Sequence, residues 1–362
     1  MKVAFITRST LYSVPGGDTE QILQTARHLQ QLGIDVKLLL TTEKIDYSAF
    51  DLIHFFNITR PADILFHLSK SGKPAVVSTI LVDYTEYDRY YRDGLAGTIL
   101  RLFPSHAYEY IKTIARWLMK KDSLRSKSYL WKGQQRSIRE ILLRASLLLP
   151  NSLSEYEMIR ALYRVQKEYA VVYNGIDPML FGSRPSFDKD ERLVISAARI
   201  EGRKNQLNLI KALNDTPYRL LLTGLPAPNQ KKYYEECRKI ASSNIVFCGR
   251  VPVQTLIDYY AQAKVHVLPS WHETCGLSTL EAAAMGCNIV ISDKGFTREY
   301  YGEDAFYCDP ADPVSIRRAI DAAAGADAPL QLQQKIFRDY TWSKAAADTL
   351  QAYKKMLSIC EN

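Results

Sequence analysis

Glu273 and Glu281 are the residues whose types and spacing point most directly to chemistry. An apolar run at residues 265–269 precedes Glu273 and is typical of a buried strand. Glu281 lies in a run of strong helix formers that ends at Gly286. One carboxylate is therefore expected in a loop that leaves a strand, and the other near the start of the following helix.

Gly276 lies between the two glutamates. Glycine lets the backbone approach a ligand closely, and the free N–H groups at a helix start can bind an anion. A ligand that combines a polyol with a phosphate, such as a nucleotide sugar, would use the carboxylates and the N–H groups together. The simpler alternative is a surface loop glutamate and a solvated helix glutamate.

A second pair of charged residues, Arg199 and Lys204, follows the predicted strand at 193–197. The gap between them spans a loop and reaches the next helix start, so both cations could converge on one diphosphate. Arginine would supply a planar fork of donors and lysine a point charge. A solvated basic loop is the alternative, and the adjacent Arg203 could be confused with Lys204.

Two sites in the first half of the chain could also contact a ligand. Gly16 and Gly17 follow the first predicted strand and precede a helix, where a tight turn can approach a phosphate. An ordinary strand-to-helix turn would need the same residues. His54 and Asn57 end the third predicted strand and could line a cleft, although a buried structural histidine is the alternative for His54.

Strands alternate with helical patterns along the whole chain, which predicts parallel sheets covered by helices on both faces. The strands predicted in the first half are 3–7, 35–41, 52–56, 75–79 and 169–173. Those predicted in the second half are 193–197, 219–223, 244–248, 265–269 and 288–292. Two doubly wound domains would bind a ligand at the carboxyl ends of these strands.

Composition limits the class of protein. A chain of 362 residues suggests two domains of about 170 residues each. The apolar share of 47% and charged share of 24% are typical of globular proteins. No apolar run reaches the ~18 residues that span a bilayer, and the first apolar stretch is too short for a signal peptide. The six cysteines lack metal-binding spacing, so a cytoplasmic location with reduced thiols is expected.

The net charge of +8 is concentrated in residues 101–144, which contain eleven Lys/Arg and three acidic residues. A nucleic-acid-binding surface would spread its charge more widely, so no nucleic acid partner is expected. A helical wheel separates apolar from basic side chains, namely Ala107, Tyr110, Ile111, Ile114, Ala115 and Leu118 from Lys112, Arg116 and Lys120. This pattern fits an anionic membrane surface and equally a helix packed on its own domain. The flanking Trp117 and Trp131 favour the membrane.

The glutamate pair resembles the Glu-x7-Glu signature of retaining glycosyltransferases of family 4, which have the GT-B fold. The Gly-Gly loop, the hinge-like segment at 174–177, the Arg/Lys pair and the glutamates follow that family's order over about 280 residues. The resemblance implies an α/β protein with two doubly wound Rossmann-like domains that face each other across a cleft. The expected boundaries are 1–173 with a basic helical insertion around 84–147, a hinge at 174–191, 192–340, and a terminal helix at 341–362 that crosses back to the first domain.

The same resemblance assigns roles to the charged residues. Arg199 and Lys204 would neutralise the leaving diphosphate, and Glu273 would hold the transferred sugar and stabilise positive charge at its ring. No metal or other cofactor is implied, because the two cations and the helix N-terminus can replace it.

The remaining donor contacts follow from the family pattern as well. Glu281 would accept hydrogen bonds from the ribose hydroxyls, and the backbone N–H groups of Gly276 and Leu277 would bind the sugar or phosphate. Gly16 and Gly17 would face the donor phosphates and the acceptor.

The chain departs from the family pattern on the acceptor side. Many relatives carry a histidine just after the fourth strand, but residues 77–84 contain none. Asp83, Tyr84 and Glu86 are the polar candidates there, together with His54 and Asn57.

The expected activity is retaining transfer from a nucleotide-diphosphate sugar, with UDP as the expected nucleotide, in cell-surface polysaccharide or glycoconjugate synthesis. The expected acceptor is a glycan or a lipid-diphosphate-linked glycan, with the protein cytoplasmic and peripheral on the inner face of the membrane. The alternatives are a nucleotide-sugar epimerase or hydrolase on the same fold, and a catalytically silent subunit that binds glycan or lipid.

Overall fold

The computed structural model describes residues 1–92, 97–98, 101–104, 107–119, 124–182 and 189–360. Lys120 of the predicted basic face and residues 183–188 of the predicted hinge lie outside this part of the chain. The chain forms two units. The first comprises Met1–Asn174 and the last helix, which begins at Trp342, and the second is Gly175–Thr341.

The first unit contains a five-stranded parallel sheet in the order β2-β1-β3-β4-β5. Its strands are β1 (Lys2–Thr7), β2 (Asp35–Leu40), β3 (Leu52–Phe56), β4 (Ala75–Ser78) and β5 (Leu147–Leu149). Its helices are α1 (Gly17–Gln31), α2 (Pro61–Ser71), α3 (Tyr108–Leu118), α4 (Tyr129–Arg144) and α5 (Leu153–Tyr163), with short turns at Tyr47–Ala49 and Tyr87–Tyr91. Strands β3, β4 and β5 are buried throughout, as a sheet covered on both faces requires.

The last helix of the chain, Trp342–Cys360, packs against α1. Its Tyr353 is fully buried and shares a hydrogen bond of 2.5 Å with Nδ1 of His54 on β3. This contact joins segments 299 residues apart in sequence and makes the helix part of the first unit.

The structure differs from the sequence prediction at residues 169–173, which were expected to form a strand. Those residues run beside β5 and form hydrogen bonds with it, but they make only an isolated bridge, between Leu148 and Tyr169. The fifth strand is instead the short run Leu147–Leu149. A run of three leucines is too short to show the periodicity of a strand.

Helix α4 also shows that the insertion predicted at 84–147 does not extend over all of those residues. Gly133, with φ +69°, breaks the helix. Beyond this break Ile138 and Ile141 enter the core beneath the sheet and α2. This second part of α4 is the crossover between β4 and β5, so the inserted segment is shorter than expected.

The second unit contains a six-stranded parallel sheet in the order β11-β10-β9-β6-β7-β8. Its strands are β6 (Asp190–Ala197), β7 (Arg219–Thr223), β8 (Ile245–Gly249), β9 (Ala263–Leu268), β10 (Asn288–Ser292) and β11 (Phe306–Cys308). Its helices are α6 (Pro178–Phe181), α7 (Gln206–Leu213), α8 (Lys231–Ile240), α9 (Val253–Gln262), α10 (Leu277–Ala284), α11 (Thr297–Tyr301), α12 (Pro313–Ala324) and α13 (Leu330–Asp339), with a short turn at Gly202–Lys204. The sequence prediction missed β11, whose three residues are too few to show a pattern.

Candidate functional site

The site in the second unit lies where the strand order reverses. Strands β6 and β9 are neighbours, and the chain proceeds from them toward opposite edges of the sheet. In doubly wound sheets the crevice at the carboxyl ends of such strands binds ligands. The loop after β6 carries Arg199 and Lys204, and the loop after β9 carries Glu273.

Lys204 and Glu273 form an ion pair between these two loops. The Lys204 side chain is 20% exposed and that of Glu273 is 9% exposed, so both groups can still be reached from solvent. The neighbouring backbone reinforces the contact, because the Trp271 N–H donates to the Arg203 carbonyl at 3.0 Å. The contact favours Lys204 over Arg203 as the basic group of the site.

The backbone at Glu273 is held by the loop after β10. The Glu273 N–H donates to the Lys294 carbonyl, and the Phe296 N–H donates to the Glu273 carbonyl at 2.9 Å. Gly295 lies between these two contacts with φ +96°. A Cβ there would come within 2.1 Å of the Glu273 carbonyl oxygen. The position of the Glu273 carboxylate therefore depends on a glycine 22 residues away.

Glu281 lies on α10, where the Tyr260 hydroxyl approaches its Oε2 at 3.4 Å. Burial, aided by the negative charge of Glu281, raises the pKa of Tyr260 well above its ordinary value. Tyr260 is therefore a neutral donor toward this carboxylate. Gly276 precedes the helix with φ +68°, and Leu277 is the first helical residue.

The loop between β9 and α10 is fixed from below by Tyr301. Its hydroxyl is fully buried and donates to the Cys275 carbonyl at 2.7 Å. This leaves the N-terminus of α10 in a defined position, which is what binding of an anion by backbone N–H groups requires.

Arg199 is oriented by its own loop. Its guanidinium donates to Glu201 at 3.2 Å, and its side chain is 41% exposed. The Gln206 side chain closes the loop by donating to the Arg199 carbonyl and accepting from the Glu201 N–H. The structure thus brings Lys204 and Glu273 into direct contact, while Arg199 stands on the loop that positions Lys204.

The first unit has an equivalent reversal between β1 and β3. A small open cavity lies at the carboxyl ends of these strands. Its polar and charged lining residues are Thr7, Arg8, Asp18, Thr41, Asn57, Arg60 and Asp63. Asn57 is one of these lining residues, with its backbone at φ +67° and its side-chain oxygen accepting a hydrogen bond from the Thr59 N–H at 3.1 Å.

Arg8, directly after β1, organises the loop that contains the two glycines. It forms a two-point contact with Asp18 at 2.9 and 3.0 Å, and donates to the carbonyls of Thr10 and Val14. Burial alone would raise the pKa of Asp18, but hydrogen bonds and positive charge from Arg8, with help from Arg60, hold it below its ordinary value.

Gly16 and Gly17 begin α1 within this loop. The Gly16 N–H donates to the Thr19 hydroxyl at 3.1 Å, and Gly17 is the first helical residue. Sequence reasoning found the glycines but missed Arg8. The sequence does contain an indication of this role, because an arginine immediately after a buried strand and before a Gly-Gly turn is well placed to bridge the turn.

His54 lies within the core of the first unit. Both ring nitrogens are hydrogen-bonded, Nδ1 with Tyr353 and Nε2 with Ser78 at 2.8 Å, and burial lowers its pKa to about 3. These contacts favour a structural role for His54 in the core over a position in a ligand-binding cleft. Asp83 and Tyr84 are half-buried after β4, and Asp83 accepts a hydrogen bond from the Thr85 N–H at 2.8 Å.

Among the described residues, no group of three or more His, Cys, Asp and Glu side chains could hold a metal ion. Within that same part of the chain, no helix has both the length and the apolarity needed to cross a membrane. The prediction that no metal is needed remains a prediction.

Comparison with solved structures identifies the class of fold. The chain superposes on sucrose-phosphate synthase from Thermosynechococcus elongatus with a TM-score of 0.77, 15% identity and coverage of 99% and 100% of the two chains. It superposes on Anabaena HepE in complex with UDP-glucose with a TM-score of 0.69, 17% identity and coverage of 99% and 100%. The fold is of the GT-B type with two Rossmann-like domains, which confirms the predicted α/β class.

Sequence comparison shows similarity to glycosyltransferases. Residues 183–333, which lie within the second unit, match the family described as Glycosyl transferases group 1. An uncharacterised glycosyltransferase of Methanocaldococcus jannaschii is 26% identical over 51% of this chain and 53% of its own length.

A second relative is aligned over more of the chain. It is the Campylobacter jejuni N-acetylgalactosamine-N,N'-diacetylbacillosaminyl-diphospho-undecaprenol 4-alpha-N-acetylgalactosaminyltransferase, which is 23% identical over 82% of this chain and 83% of its own length. The chain nevertheless spans only about half the length of the first curated relatives that it matches.

Proposed function

We propose that this protein is a retaining glycosyltransferase of family 4 that transfers a sugar from a nucleoside diphosphate sugar. The observation that carries the proposal is the contact between Lys204 and Glu273 at the switch point of the second sheet. It sets a cation suited to a diphosphate beside a carboxylate suited to sugar hydroxyls, next to the N-terminus of α10.

Each group has a role in this mechanism. Arg199 and Lys204 stabilise charge on the departing diphosphate, and Glu273 orients the sugar and balances positive charge at its ring. Transfer with retention follows if the acceptor hydroxyl attacks from the face that the diphosphate leaves, with a phosphate oxygen taking the proton.

The donor nucleotide is held on α10 and the loop before it. Glu281 accepts hydrogen bonds from the ribose hydroxyls, while Gly276 and Leu277 offer backbone N–H groups to the phosphates or sugar. UDP is the proposed nucleotide, supported by the similarity of the fold to that of HepE, which was crystallised with UDP-glucose. Because the two cations and the helix N-terminus supply positive charge, no metal is part of this proposal.

The proposed acceptor is a glycan or a lipid-diphosphate-linked glycan, in the synthesis of cell-surface polysaccharide or glycoconjugate. The Campylobacter relative, whose name specifies a diphospho-undecaprenol-linked acceptor, supports the lipid-linked class. The cavity of the first unit, with Asn57 in its lining and the Gly16–Gly17 loop close by, offers polar groups on the acceptor side. Asp83 and Tyr84 are further proposed contacts, and the proposed location is the cytoplasmic face of the membrane.

Calorimetric titration with UDP, GDP and ADP tests the donor site. We expect UDP to bind, and Glu281→Gln to weaken that binding about tenfold, because a carboxylate that accepts ribose hydrogen bonds is replaced by a neutral amide. Glu303→Gln, which changes an exposed carboxylate of the same unit, is the matched control and should leave binding unchanged. Absence of binding to all three nucleotides would rule out the donor site.

Transfer itself needs a separate measurement. Incubation with UDP-sugars and lipid-diphosphate-linked glycan should yield a product whose anomeric configuration, determined by NMR, matches that of the donor. Lys204→Gln should lower kcat by about a hundredfold because charge stabilisation of a leaving group is lost. Release of free sugar, or formation of an epimer, in the absence of acceptor would indicate the hydrolase or epimerase alternative. Nucleotide binding without any turnover would indicate the silent subunit.

A further inference from the structure

The inserted segment of the first unit exposes an unusual number of large apolar side chains. Leu102 is 79% exposed, Trp131 is 70% exposed and Leu118 is 68% exposed. Phe103, Trp117 and Met119 are also exposed. Leu118, on the apolar side of the helical wheel, was expected to be covered if α3 simply packed on its own domain. The domain therefore does not cover the whole apolar side of this helix.

The exposed side chains belong to one connected substructure. The Arg101 guanidinium donates to the carbonyls of Arg89 and Tyr90, which joins Leu102 and Phe103 to the turn at Tyr87–Tyr91. Lys112 of α3 pairs with Asp88 of the same turn at 2.6 Å.

The start of α4 is connected to α3 as well. The Tyr110 hydroxyl donates to the Leu130 carbonyl at 2.7 Å, and the rings of Tyr110 and Tyr129 lie 5.4 Å apart. These contacts hold the backbone beside Trp131 next to α3. We call this substructure, residues 87–92, 101–104, 108–119 and 124–131, the apolar platform.

Charge around the platform is mostly positive. The described acidic residues of the platform and of α4 are already paired, namely Asp88 with Arg92 and Lys112, Glu109 with Lys112, and Glu140 with Lys132 and Arg144. Arg136 and Arg139 lie on the exposed side of α4 and make no ion pair with a described residue. Lys127, at the edge of the platform, is also exposed.

From these observations we infer that the apolar platform and the outer face of α4 dock on an anionic lipid bilayer. Tryptophan with leucine and methionine enters the boundary between head groups and acyl chains, and arginine beside it binds lipid phosphates. A second copy of the chain is a poorer occupant. A two-fold interface would bring the same uncompensated cations together, at a repulsive cost.

This docking surface lies outside the proposed donor site, so it can be tested whether or not transfer is observed. The probe is co-sedimentation with vesicles of phosphatidylglycerol and phosphatidylcholine, compared with vesicles of phosphatidylcholine alone. We expect binding to the anionic vesicles that weakens as salt rises. The double variant Arg136→Gln/Arg139→Gln should reduce affinity about tenfold, since each cation near a charged surface contributes to binding.

The apolar part of the surface needs its own variant. Trp131→Ser should reduce binding at high salt as well as at low salt, because its contribution is not screened. Matched controls in the second unit are Lys232→Gln/Lys239→Gln for charge and Val314→Ser, a residue 64% exposed, for the apolar change. Both controls should bind as the unaltered chain does, and melting curves should be unchanged in all variants.

Three outcomes would overturn the inference. One is no binding to anionic vesicles, and another is equal weakening by the platform variants and the second-unit controls. The third is a concentration-dependent dimer that Trp131→Ser converts to monomer without any vesicle binding, which would assign the platform to a second copy.

Discussion

Arg8 shows how much of the candidate site depends on single side chains. The Arg8 side chain is 9% exposed. Its guanidinium donates hydrogen bonds to Asp18, to Thr19 and to two backbone carbonyls of the loop before α1. The geometry of the Gly16–Gly17 turn therefore depends on a planar, five-donor group that lysine cannot reproduce.

Arg8→Lys keeps the charge but loses most of these hydrogen bonds. We expect the free energy of unfolding to fall by about 2 kcal/mol, and amide hydrogen exchange in residues 10–19 to accelerate about tenfold. Arg160→Lys is the matched control, because Arg160 forms an exposed ion pair with Glu157. Equal exchange in the two variants would show that Arg8 does not hold the loop.

At the scale of elements, the loops after β9 and β10 act together. Glu273 and Gly295 form an isolated parallel bridge, which holds the backbone from which the Glu273 side chain extends. Support of this kind from a second loop keeps a functional carboxylate in a defined position.

Gly295→Ala tests this coupling. The added Cβ meets the Glu273 carbonyl, and the positive φ is unfavourable for alanine, so we expect a loss of more than about 1 kcal/mol in stability together with weakened UDP binding. Gly302→Ala is the control, since Gly302 also has positive φ but no atom lies within 4 Å of an added Cβ. It should reduce stability without changing nucleotide affinity. Unaltered affinity in Gly295→Ala would refute the coupling.

The elements also show what the sequence could predict. Most strands and the alternation with helices were predicted correctly, because buried parallel strands are continuous apolar runs. The edge strands β5 and β11, of three residues each, were missed, since so short a run carries no periodicity.

The candidate site could be predicted in part, for a related physical reason. Glu273 and Lys204 were found from local spacing, but their contact joins residues 69 apart and depends on strand order. Sequence patterns report neighbours along one element, whereas the order of strands in a sheet is decided by packing of the whole unit.

At the scale of the whole molecule, three of the buried histidines, which have lowered pKa values, should contribute to the response to acid. Burial lowers the pKa of His54 and His266 to about 3 and that of His67 to about 4. Unfolded histidine has a pKa near 6.5, so below that pH the unfolded chain binds protons that the folded chain does not. Their contribution to stability is complete above pH 6.5 and is lost as pH falls toward 4 and 3.

As the pH falls from 6.5 to 5, each of these histidines should lower the free energy of unfolding by about 2 kcal/mol. The first unit contains two of them, His54 and His67, and should lose protection against hydrogen exchange more steeply than the second. His266→Leu should reduce the loss in the second unit, because neither ring nitrogen of His266 has a hydrogen-bond partner among the described residues. An unchanged pH dependence in that variant would contradict this explanation.

The last helix has a consequence for synthesis of the chain. It completes the first unit, yet it follows the entire second unit in sequence. On the ribosome the first unit therefore begins to form early but must wait, with the face of α1 uncovered and His54 lacking Tyr353, until Trp342–Cys360 has been translated. The second unit is continuous and can fold in the interval. The nascent first unit is thus the state that we expect chaperones to bind.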